Sequence, residues 1–402
     1  MIGRVSGATV SVAALVLLAA STAYAAQAST GSATGSAMRA RHGCAVSKAA
    51  RGTIYVANFY PMPVGTVTPI PVCTNVAGKP IPVANGPTTI AITPDGKTAY
   101  VVNENSGTVT PIRTATNTPG KAIGVAGRLP EPIAITPNGK TAYVGSYNGG
   151  AIVTPIRTAT NTPGTAIRVA GSSAQAIAIT PDGKTVYVVS FSGVVTPIRV
   201  ATDTAGPAIP VGGGAFAIAI TPNGKTAYVV DKSANTVTPI NTCTNKPGKA
   251  IPVGQAPTAI AITPNGKTAY VVNEDSNTVT PISTRTNKAG KAIPMGIRPD
   301  AIPITPNGKT AYVANIGIGN AGTVIPVRTA TNRTGKPIRV GDIPEAIVIT
   351  RDGKTAYVLN FAAASGVPQG SVTPISTATN TAAREIIVGM NPSAIAITPA
   401  AR

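Results

Sequence analysis

Hydrophobic residues alternate with small or polar ones in short runs, and the runs come in sets of four. In one set they cover residues 88–93 (A), 98–103 (B), 108–113 (C) and 121–125 (D). Alternation over five or six residues predicts β-strands. Thr-Pro-Asp-Gly or Thr-Pro-Asn-Gly joins A to B, and Thr-Asn-x-x-Gly joins C to D. Both segments are typical of chain reversals, so each set predicts a four-stranded antiparallel sheet.

A Tyr-Val pair in run B shows how often the set returns. The tyrosines are 41 to 45 residues apart and are Tyr55, Tyr100, Tyr143, Tyr187, Tyr228, Tyr270, Tyr312 and Tyr357. Four strands repeated at this period indicate the blades of a β-propeller. We therefore predict that residues 53–398 are all-β and form a single propeller of eight four-stranded blades. Strand A is innermost in each blade and strand D is outermost. Eight A runs are expected, each ending at a Thr of the A-to-B turn.

The order of the runs predicts how the ring closes. The repeats begin with a B run at Thr53 and end with an A run at residues 394–398. We expect this C-terminal strand to complete the first blade, in preference to the weaker candidate at residues 44–47. Closure would remove the exposed edges that an open array leaves.

Two residue types recur in every repeat. We interpret the eight tyrosines as packing between blades rather than as ligand contacts, because a residue present in every repeat normally belongs to the core. A proline recurs in every C run, where it removes a ladder hydrogen bond, so we expect a bulge or an unpaired position there. These prolines are Pro69, Pro111, Pro155, Pro197, Pro239, Pro281, Pro326 and Pro374.

The B runs also carry a family resemblance. They read Tyr-Val-Ala-Asn at 55–58 and 312–315, Tyr-Val-Val-Asn at 100–103 and 270–273, and Tyr-Val-Leu-Asn at 357–360. With the preceding Pro-Asp-Gly-Lys, this resembles the YVTN-type β-propeller repeat family of secreted and cell-surface bacterial and archaeal proteins. The resemblance covers residues 53–398, although Thr never occupies the third place of the motif. It implies the fold and no particular activity, and family members often have seven blades, which makes seven the alternative to our count.

The N-terminal segment differs from the repeats. Arg4, the apolar residues 10–20 and Ala23-Tyr24-Ala25 together resemble a signal peptide. The apolar stretch is shorter than the roughly 20 residues that span a bilayer, so we expect no transmembrane segment. We predict a signal peptide at 1–25, a flexible leader at 26–52 and the propeller at 53–398. The protein is then secreted, with an extracellular or cell-wall location.

The chain has three cysteines. Cys73 and Cys243 occupy equal offsets in repeats one and five, which should lie across the ring from each other and too far apart for a disulfide. Cys44 lies just before the first repeat and can reach Cys73. We therefore predict a Cys44–Cys73 disulfide and an unpaired Cys243.

Composition excludes several kinds of site. The only histidine, His42, lies in the leader, so the repeats lack the central residue of a Ser-His-Asp triad and of a histidine metal site. The chain has no Trp and four Phe, which makes aromatic platforms scarce. We expect no catalytic residues, no metal site and no cofactor. Calcium is the alternative, held by Glu274, Asp275 and Asn277 or by residues 103–105.

Charge gives the positive indication. The formal net charge is +20, and the predicted topology places 22 of the 33 Lys and Arg on the rim formed by the A-to-B and C-to-D turns. The other rim carries more acidic than basic residues. We predict that the basic rim binds through Lys97, Lys140, Lys184, Lys225, Lys267, Lys309, Lys354, Arg113, Arg157, Arg199 and Arg328.

These observations lead to two functional hypotheses. The first is an exported, monomeric, non-enzymatic binding or scaffolding module at the cell envelope, whose basic rim holds an anionic polymer or a protein partner. No sequence-specific nucleic acid is expected. The alternative is a lactonase-like propeller hydrolase with a metal at the channel mouth. Solubility alone is the competing explanation for the repeated lysines.

Overall fold

The computed structural model describes residues 52–60, 64–146, 150–317, 322–363 and 369–399. Their regular structure is entirely β, and no helix within these ranges is long and apolar enough to cross a membrane. The predicted signal peptide and leader lie outside the described residues, apart from Gly52, so those boundaries remain predictions.

Eight antiparallel sheets form the blades of a closed β-propeller, which confirms eight blades over seven. In blades 1 to 6 and 8, strand A is Met390–Ile397, Pro87–Ile92, Pro130–Ile135, Ala176–Ile179, Ala215–Ile220, Pro257–Ile262 and Asp342–Ile349. In blades 1 to 8, strand B is Thr53–Tyr60, Thr98–Asn103, Thr141–Ser146, Thr185–Ser190, Thr226–Asp231, Thr268–Asn273, Thr310–Asn315 and Thr355–Ala362. Strand C is Thr66–Pro71, Thr108–Arg113, Ile152–Arg157, Val194–Arg199, Thr236–Asn241, Thr278–Ser283, Thr323–Arg328 and Ser371–Ser376.

The outer strand D is split into two short pieces in seven blades. Blade 1 has only Ile81–Pro82 among its described residues. The first pieces in blades 2 to 8 are Thr118–Pro119, Thr162–Pro163, Thr204–Ala205, Lys246–Pro247, Lys288–Ala289, Arg333–Thr334 and Thr381–Ala382. The second pieces are Ile123–Gly124, Ile167–Arg168, Ile209–Pro210, Ile251–Pro252, Ile293–Pro294, Ile338–Arg339 and Ile386–Ile387. Our prediction of one continuous D strand at residues 121–125 was therefore wrong.

The repeated proline of strand C explains the split. Pro111 pairs with Tyr100 with no shift of register, and its carbonyl oxygen accepts a hydrogen bond from Gly120 N at 2.7 Å. The N–H and C=O of a strand residue point to the same side, so the missing N–H of Pro111 faces strand D, between its two pieces. A Cβ on Gly120 would lie 3.1 Å from Pro111 Cγ, so this position favours a small residue, and the equivalent residue in blade 8 is Ala383. The expected unpaired position is confirmed, without a bulge in strand C.

Alternation along strand A packs one blade against the next. Ile133 and Ile135 of blade 3 pack against Tyr100 and its neighbours in blade 2. Ala134, between them, packs towards blade 4. Large side chains on one face thus meet small ones on the face opposite, as the Ala-Ile-Ala-Ile pattern predicts. The eight tyrosines lie fully buried in these interfaces, which confirms their structural role.

Each buried tyrosine also ties its blade to the next one. Tyr55 Oη donates to Asn117 Oδ1 at 2.6 Å, and Asn117 has the left-handed φ of 53° that Asn tolerates better than most residues. The eight pairs are Tyr55–Asn117, Tyr100–Asn161, Tyr143–Asp203, Tyr187–Asn245, Tyr228–Asn287, Tyr270–Asn332, Tyr312–Asn380 and Tyr357–Asn75. The last pair joins blade 8 to blade 1, so these bonds run around the whole ring.

Tyr100→Phe is expected to lower the free energy of unfolding by about 1 kcal/mol, because it removes one hydrogen bond and leaves Asn161 Oδ1 without its donor. Urea unfolding followed by circular dichroism measures the effect. Tyr60→Phe is the control, since Tyr60 lies in no such interface and its side chain is exposed. Equal midpoints for the two variants would contradict a stabilising role for the interblade bond.

Blade 7 departs from the repeat at its inner position. Pro303 stands where other blades have Ala or Val, and its carbonyl oxygen accepts from Tyr312 N at 2.9 Å but it has no N–H to donate in return. Only the isolated bridges Pro299–Asn315 and Ile304–Ala311 connect residues 299–304 to strand B. The prediction of a regular A strand in every blade was therefore wrong for this one.

The C-terminal strand closes the ring as predicted. Met390–Ile397 pairs antiparallel with Thr53–Tyr60 as the inner strand of blade 1. Just beyond it, Thr398 Oγ1 accepts from Thr53 N at 2.8 Å, and Thr398 N donates to Thr53 O at 2.9 Å. The two ends of the repeat region are thus held in one sheet.

Candidate functional site

Two sets of turns share one end of the propeller, which we name the basic face. In the A-to-B turn of blade 2, Asp95 Oδ1 accepts from Thr93 Oγ1 at 2.6 Å and from Lys97 N at 3.1 Å. In the C-to-D turn of the same blade, Thr114 Oγ1 donates to Gly96 O at 2.6 Å. The two turns therefore contact each other, as the predicted topology requires.

The seven predicted lysines follow the A-to-B turns. The backbone nitrogen of each donates to an Asp or Asn of its turn, and the side chain is exposed. Strand A is the innermost strand, so these turns surround one mouth of the central channel. The lysines that encircle this mouth are Lys97, Lys140, Lys184, Lys225, Lys267, Lys309 and Lys354.

The four predicted arginines end strand C and are also exposed on the basic face; they are Arg113, Arg157, Arg199 and Arg328. Arg157 is held by Asp203 at 2.7 Å, and Asp203 also accepts from Tyr143. Burial and this hydrogen bond raise the pKa of Tyr143.

Few of these positive charges are neutralised. Lys97 lies 3.6 Å from Asp95 and Lys184 lies 3.9 Å from Asp182, in exposed pairs that water screens. With Arg157, these are the only members of the predicted set that form ion pairs with described residues. The basic face therefore keeps most of its positive charge, while a binding role for it remains a prediction.

The cysteines agree with the sequence prediction as far as they are described. Cys73 is disulfide-bonded, and Cys243 is free and exposed. The predicted partner of Cys73, Cys44, lies outside the described residues, so the pairing itself remains a prediction.

The opposite mouth of the channel, which we name the loop-side mouth, is built differently. Where strand A begins, it has one extra residue relative to strand B, and the register shifts there in blades 1, 2, 3, 5, 6 and 8. Such a bulge releases a residue from the ladder and redirects its side chain. In every blade a Pro or an Ala stands at this point of the inner strand segment. In blades 1 to 8, the residue that follows this Pro or Ala is Ser393, Thr88, Glu131, Gln175, Phe216, Thr258, Asp300 and Glu345. We name these eight residues the bulge ring.

The loops that lead into the bulge ring contain strained backbone. Leu129, Ala256, Arg298 and Ile343 have φ between 47° and 52°, a left-handed conformation that costs L-residues other than Gly and Asn roughly 1 kcal/mol or more. Ile343 is β-branched and suits this conformation least. These residues precede blades 3, 6, 7 and 8, which carry all three acidic members of the ring.

Charged side chains from three blades meet at the loop-side mouth. Glu274 accepts from Lys232 Nζ at 3.2 Å and from Arg298 Nη2 at 2.7 Å. The Lys232 amine lies 5.1 Å from the centre of the Phe216 ring, within cation–π range. The two cations lower the pKa of Glu274 against the opposing effect of its burial.

Two carboxyls of the bulge ring lie beside this group. Burial, together with the charge of Glu274, raises the pKa of Asp300 to about 7. Burial and the charge of Asp300 raise the pKa of Glu345 to about 8. Neither carboxyl forms a hydrogen bond or ion pair within the described part of the chain, and Glu345 Oε2 is buried without a partner. Both are therefore poised to change charge near neutral pH.

The two calcium alternatives fit the described structure poorly. Lys232 and Arg298 hold Glu274, and Asn277 Oδ1 accepts from Arg298 N at 2.7 Å. Asn103 is buried and donates to the threonines of its own blade. Across the described ranges, no group of three or more His, Cys, Asp or Glu could hold a metal ion.

The chain matches no protein-family model and no curated protein. It is similar to several solved structures. Hydrazine synthase of Kuenenia stuttgartiensis is 21% identical over 73% of this chain and 96% of that chain, with a TM-score of 0.57. The dihydro-heme d1 dehydrogenase NirN, in complex with DHE, is 14% identical over 89% and 77%, with a TM-score of 0.71. A functionally unknown protein from Desulfotomaculum acetoxidans is 15% identical over 86% and 99%, with a TM-score of 0.58. At these identities the likeness supports the fold alone.

Proposed function

We propose that this eight-bladed propeller is an exported binding module of the YVTN type, whose basic face holds an anionic polymer of the cell envelope. The observation that carries the proposal is the exposed, largely unpaired charge of the seven lysines and four arginines on one face. Positive charge gathered on one face creates a field that attracts polyanions. The resemblance of the Tyr-Val-Val-Asn repeats to secreted and cell-surface proteins supports the location.

The regular spacing of this charge favours a repeating ligand. Turns of nearly identical sequence place one lysine per blade around the channel in blades 2 to 8. A polymer with an anionic group in each unit could contact several lysines at once, and weak contacts on one chain add through their effective concentration. No sequence-specific nucleic acid is required, since charge alone would provide the affinity.

The alternative is a lactonase-like hydrolase that works at the loop-side mouth. Lys232 and Arg298 hold Glu274, whereas Asp300 and Glu345 form no ion pair with the described residues and could serve such an enzyme. Thermal stabilisation by Ca²⁺ would favour this alternative.

Replacing Lys225, Lys267 and Lys309 together by Gln is expected to weaken binding to isolated cell envelopes and to long-chain inorganic polyphosphate by about tenfold or more. These lysines belong to neighbouring blades, and their side chains form no ion pair with the described residues. Sedimentation with envelopes and calorimetry with polyphosphate measure the loss. The parent should bind less as salt rises from about 0.05 M to about 0.5 M, because salt screens exposed charges.

A matched control separates the position of the charge from its amount. Replacing Arg128, Arg168 and Arg339 by Gln also removes three exposed positive charges, from residues outside the turns of the basic face. This control should bind within about twofold of the parent if the face is the site. Equal losses in the two triple variants, or binding that ignores salt, would contradict the proposal.

A further inference from the structure

The bulge ring is the position at which the blades differ most from one another. The residues that follow it repeat as Ala-Ile-Ala-Ile-Thr with few changes, and the residue before it is Pro or Ala in every blade. Packing accounts for the repeated positions, because every blade has the same neighbours. It does not account for Ser, Thr, Glu, Gln, Phe and Asp at one structural position. Contact with something outside the repeats would account for them.

Three members of the bulge ring have buried side-chain oxygens that the described residues leave unpaired: Thr88 Oγ1 in blade 2, Thr258 Oγ1 in blade 6 and Glu345 Oε2 in blade 8. Thr258 is 3% exposed. Thr258, Asp300 and Glu345 hold the same ring position in the consecutive blades 6, 7 and 8. Buried polar atoms normally have partners, so the Thr258 hydroxyl and Glu345 Oε2 are suited to meet one from outside the chain, and Asp300 lies in the blade between them.

Other members show that side chains at this position reach the groups around the mouth. Ser393 Oγ donates to Pro87 O of the next blade at 2.6 Å. Phe216 lies beneath the amine of Lys232, which belongs to the B-to-C loop of its own blade. Thr258 carries a hydroxyl, as Ser393 does. Its neighbour in the bulge ring is Phe216 of blade 5. Ser393 and Phe216 both turn toward the following blade, so we infer that the unpaired hydroxyl of Thr258 faces blade 7.

The charges at this mouth select the chemistry of the missing group. Glu274 is neutralised by Lys232 and Arg298, whereas Asp300 and Glu345 have no ion-pair partner in the described part of the chain. When all five groups are ionised, Glu274, Asp300 and Glu345 carry three negative charges against the two positive charges of Lys232 and Arg298. One negative charge is then unmet, and it calls for a cation at a pH where both Asp300 and Glu345 ionise. The carboxyls form no group of three that could hold a metal within the described ranges. An ammonium group has three donors that can reach separate acceptors.

We propose that the loop-side mouth between blades 6 and 8 binds an alkylammonium ion, whose N–H groups donate to Asp300, Glu345 and the hydroxyl of Thr258. Phe216, which is partly exposed beside Thr258 in the ring, provides apolar surface for the alkyl chain. This site lies at the opposite end of the propeller from the basic face, so it neither requires nor excludes the polymer binding proposed above.

Calorimetry of the full exported chain at pH 8 with butylammonium chloride tests this proposal. We expect saturable binding of one ion per chain, in the millimolar range that suits so small a ligand. Binding should release protons, seen as a heat that depends on the ionisation enthalpy of the buffer, because ionised carboxylates pair with the cation. Tetramethylammonium, which has no N–H donor, should bind at least tenfold more weakly.

The variants Asp300→Asn and Glu345→Gln should each weaken butylammonium binding at least tenfold. Glu131→Gln is the matched control, since it removes an acidic member of the same ring from blade 3, across from blade 7. It should change the affinity less than twofold. Thermal unfolding of each variant verifies that it is folded.

Three outcomes would overturn the proposal: no saturation by butylammonium, equal affinity for tetramethylammonium, or equal losses in Glu131→Gln and Asp300→Asn. Saturable binding of Ca²⁺ that displaces butylammonium and needs the same two carboxyls would replace the ammonium site with a metal site. Polyphosphate binding is measured on the same variants and should not change, so failure here is distinguishable from failure of the basic face.

Discussion

A chain that ends at Gly389 is expected to lose its native fold. The deletion removes Met390–Ile397, the inner strand of blade 1. Ile395 is 4% exposed and packs with Ile54, Val56 and Tyr357 at the junction of blades 8 and 1. Deleting one buried isoleucine side chain costs about 2 to 5 kcal/mol. Losing the whole strand should therefore remove much of a total stability of roughly 5 to 15 kcal/mol.

The loss has a second physical cause besides the missing apolar contacts. Without its inner partner, Thr53–Tyr60 presents unpaired N–H and C=O groups along a buried edge, and such edges pair with other chains. We expect the shortened chain to aggregate and to show no cooperative thermal unfolding by circular dichroism. A synthetic peptide of residues 390–399 added during refolding should restore soluble protein.

Ending the chain at Pro399 is the control, because it keeps the closing strand and the contact of Pro399 with the turn at Gly96. Its unfolding midpoint should lie within a few degrees of the parent. Cooperative unfolding of the Gly389 chain at the parental midpoint would show that closure through the C-terminal strand contributes little.

The blades were predictable because their residues repeat. The predicted bounds of strands B and C in blade 2, Thr98–Asn103 and Thr108–Arg113, agree with the structure, since clear turn residues flank both strands. Strand D was misplaced because the Thr-Asn-x-x-Gly segment was interpreted as a turn throughout. Its third and fourth residues, Thr118–Pro119 in this blade, already pair with strand C.

The interblade hydrogen bonds could have been predicted but were not. An Asn or Asp recurs four residues after the end of every strand C, as regularly as the tyrosine recurs in strand B. Two polar groups that recur at the same period are candidates for a repeated contact. Nothing local indicated that Asn117 would meet Tyr55 of the preceding blade, because that contact depends on how one blade sits against the next.

The two mouths of the channel differed in how far they could be predicted. The basic face followed from topology alone, since all A-to-B turns must lie at one end of antiparallel blades. The loop-side mouth depends on a bulge, which is a property of the register between strands A and B and leaves no turn residue behind. Its one sign in the sequence was the changing residue after Pro or Ala at the start of strand A.

The two ends of the propeller thus differ in whether their charged residues repeat from blade to blade. Lysines that recur in blades 2 to 8 form a face suited to a ligand that itself repeats. Residues that differ from blade to blade form a mouth with a single arrangement of charge. Glu104 and Glu131 stand across the ring from Glu274 and Asp300, but the uncharged Gln175 stands across from Glu345 and Phe59 stands across from Lys232. Such an arrangement suits one small molecule. The ring therefore offers two independent binding surfaces, one at each end.

The stability of the protein is expected to fall as pH rises from about 5 to about 8. The pKa of Asp300 is raised to about 7 and that of Glu345 to about 8 in the folded state, chiefly by burial. In the unfolded chain both groups should titrate near their usual values of about 4. Between these limits the folded state binds more protons than the unfolded state, so the free energy of unfolding decreases with pH. The contribution is complete below about pH 4 and lost above about pH 8.

The size of the effect should be about 3 kcal/mol for the pair, allowing for screening of these partly exposed carboxyls by water. Nearby charges set its limits. Lys232 and Arg298 favour ionised Asp300, whereas Glu274 opposes it, and Asp300 in turn opposes ionisation of Glu345. At the acid end, Glu274 and Asp95 have lowered pKa values and lose their own stabilising contribution as pH falls. We therefore place the test between pH 5 and pH 9.

Urea unfolding at five pH values compares the parent with the double variant Asp300→Asn/Glu345→Gln. The variant stays neutral at both positions, so its stability should be nearly flat and should exceed that of the parent by about 3 kcal/mol at pH 9. Asp342→Asn removes a carboxyl from the same blade and should keep the parental slope. If the double variant keeps the slope, or is less stable than the parent at pH 9, the two carboxyls do not hold extra protons in the folded state. The pH dependence expected for alkylammonium binding would then lose its basis, while the unpaired Thr258 hydroxyl and the net negative charge of the mouth would still need a partner.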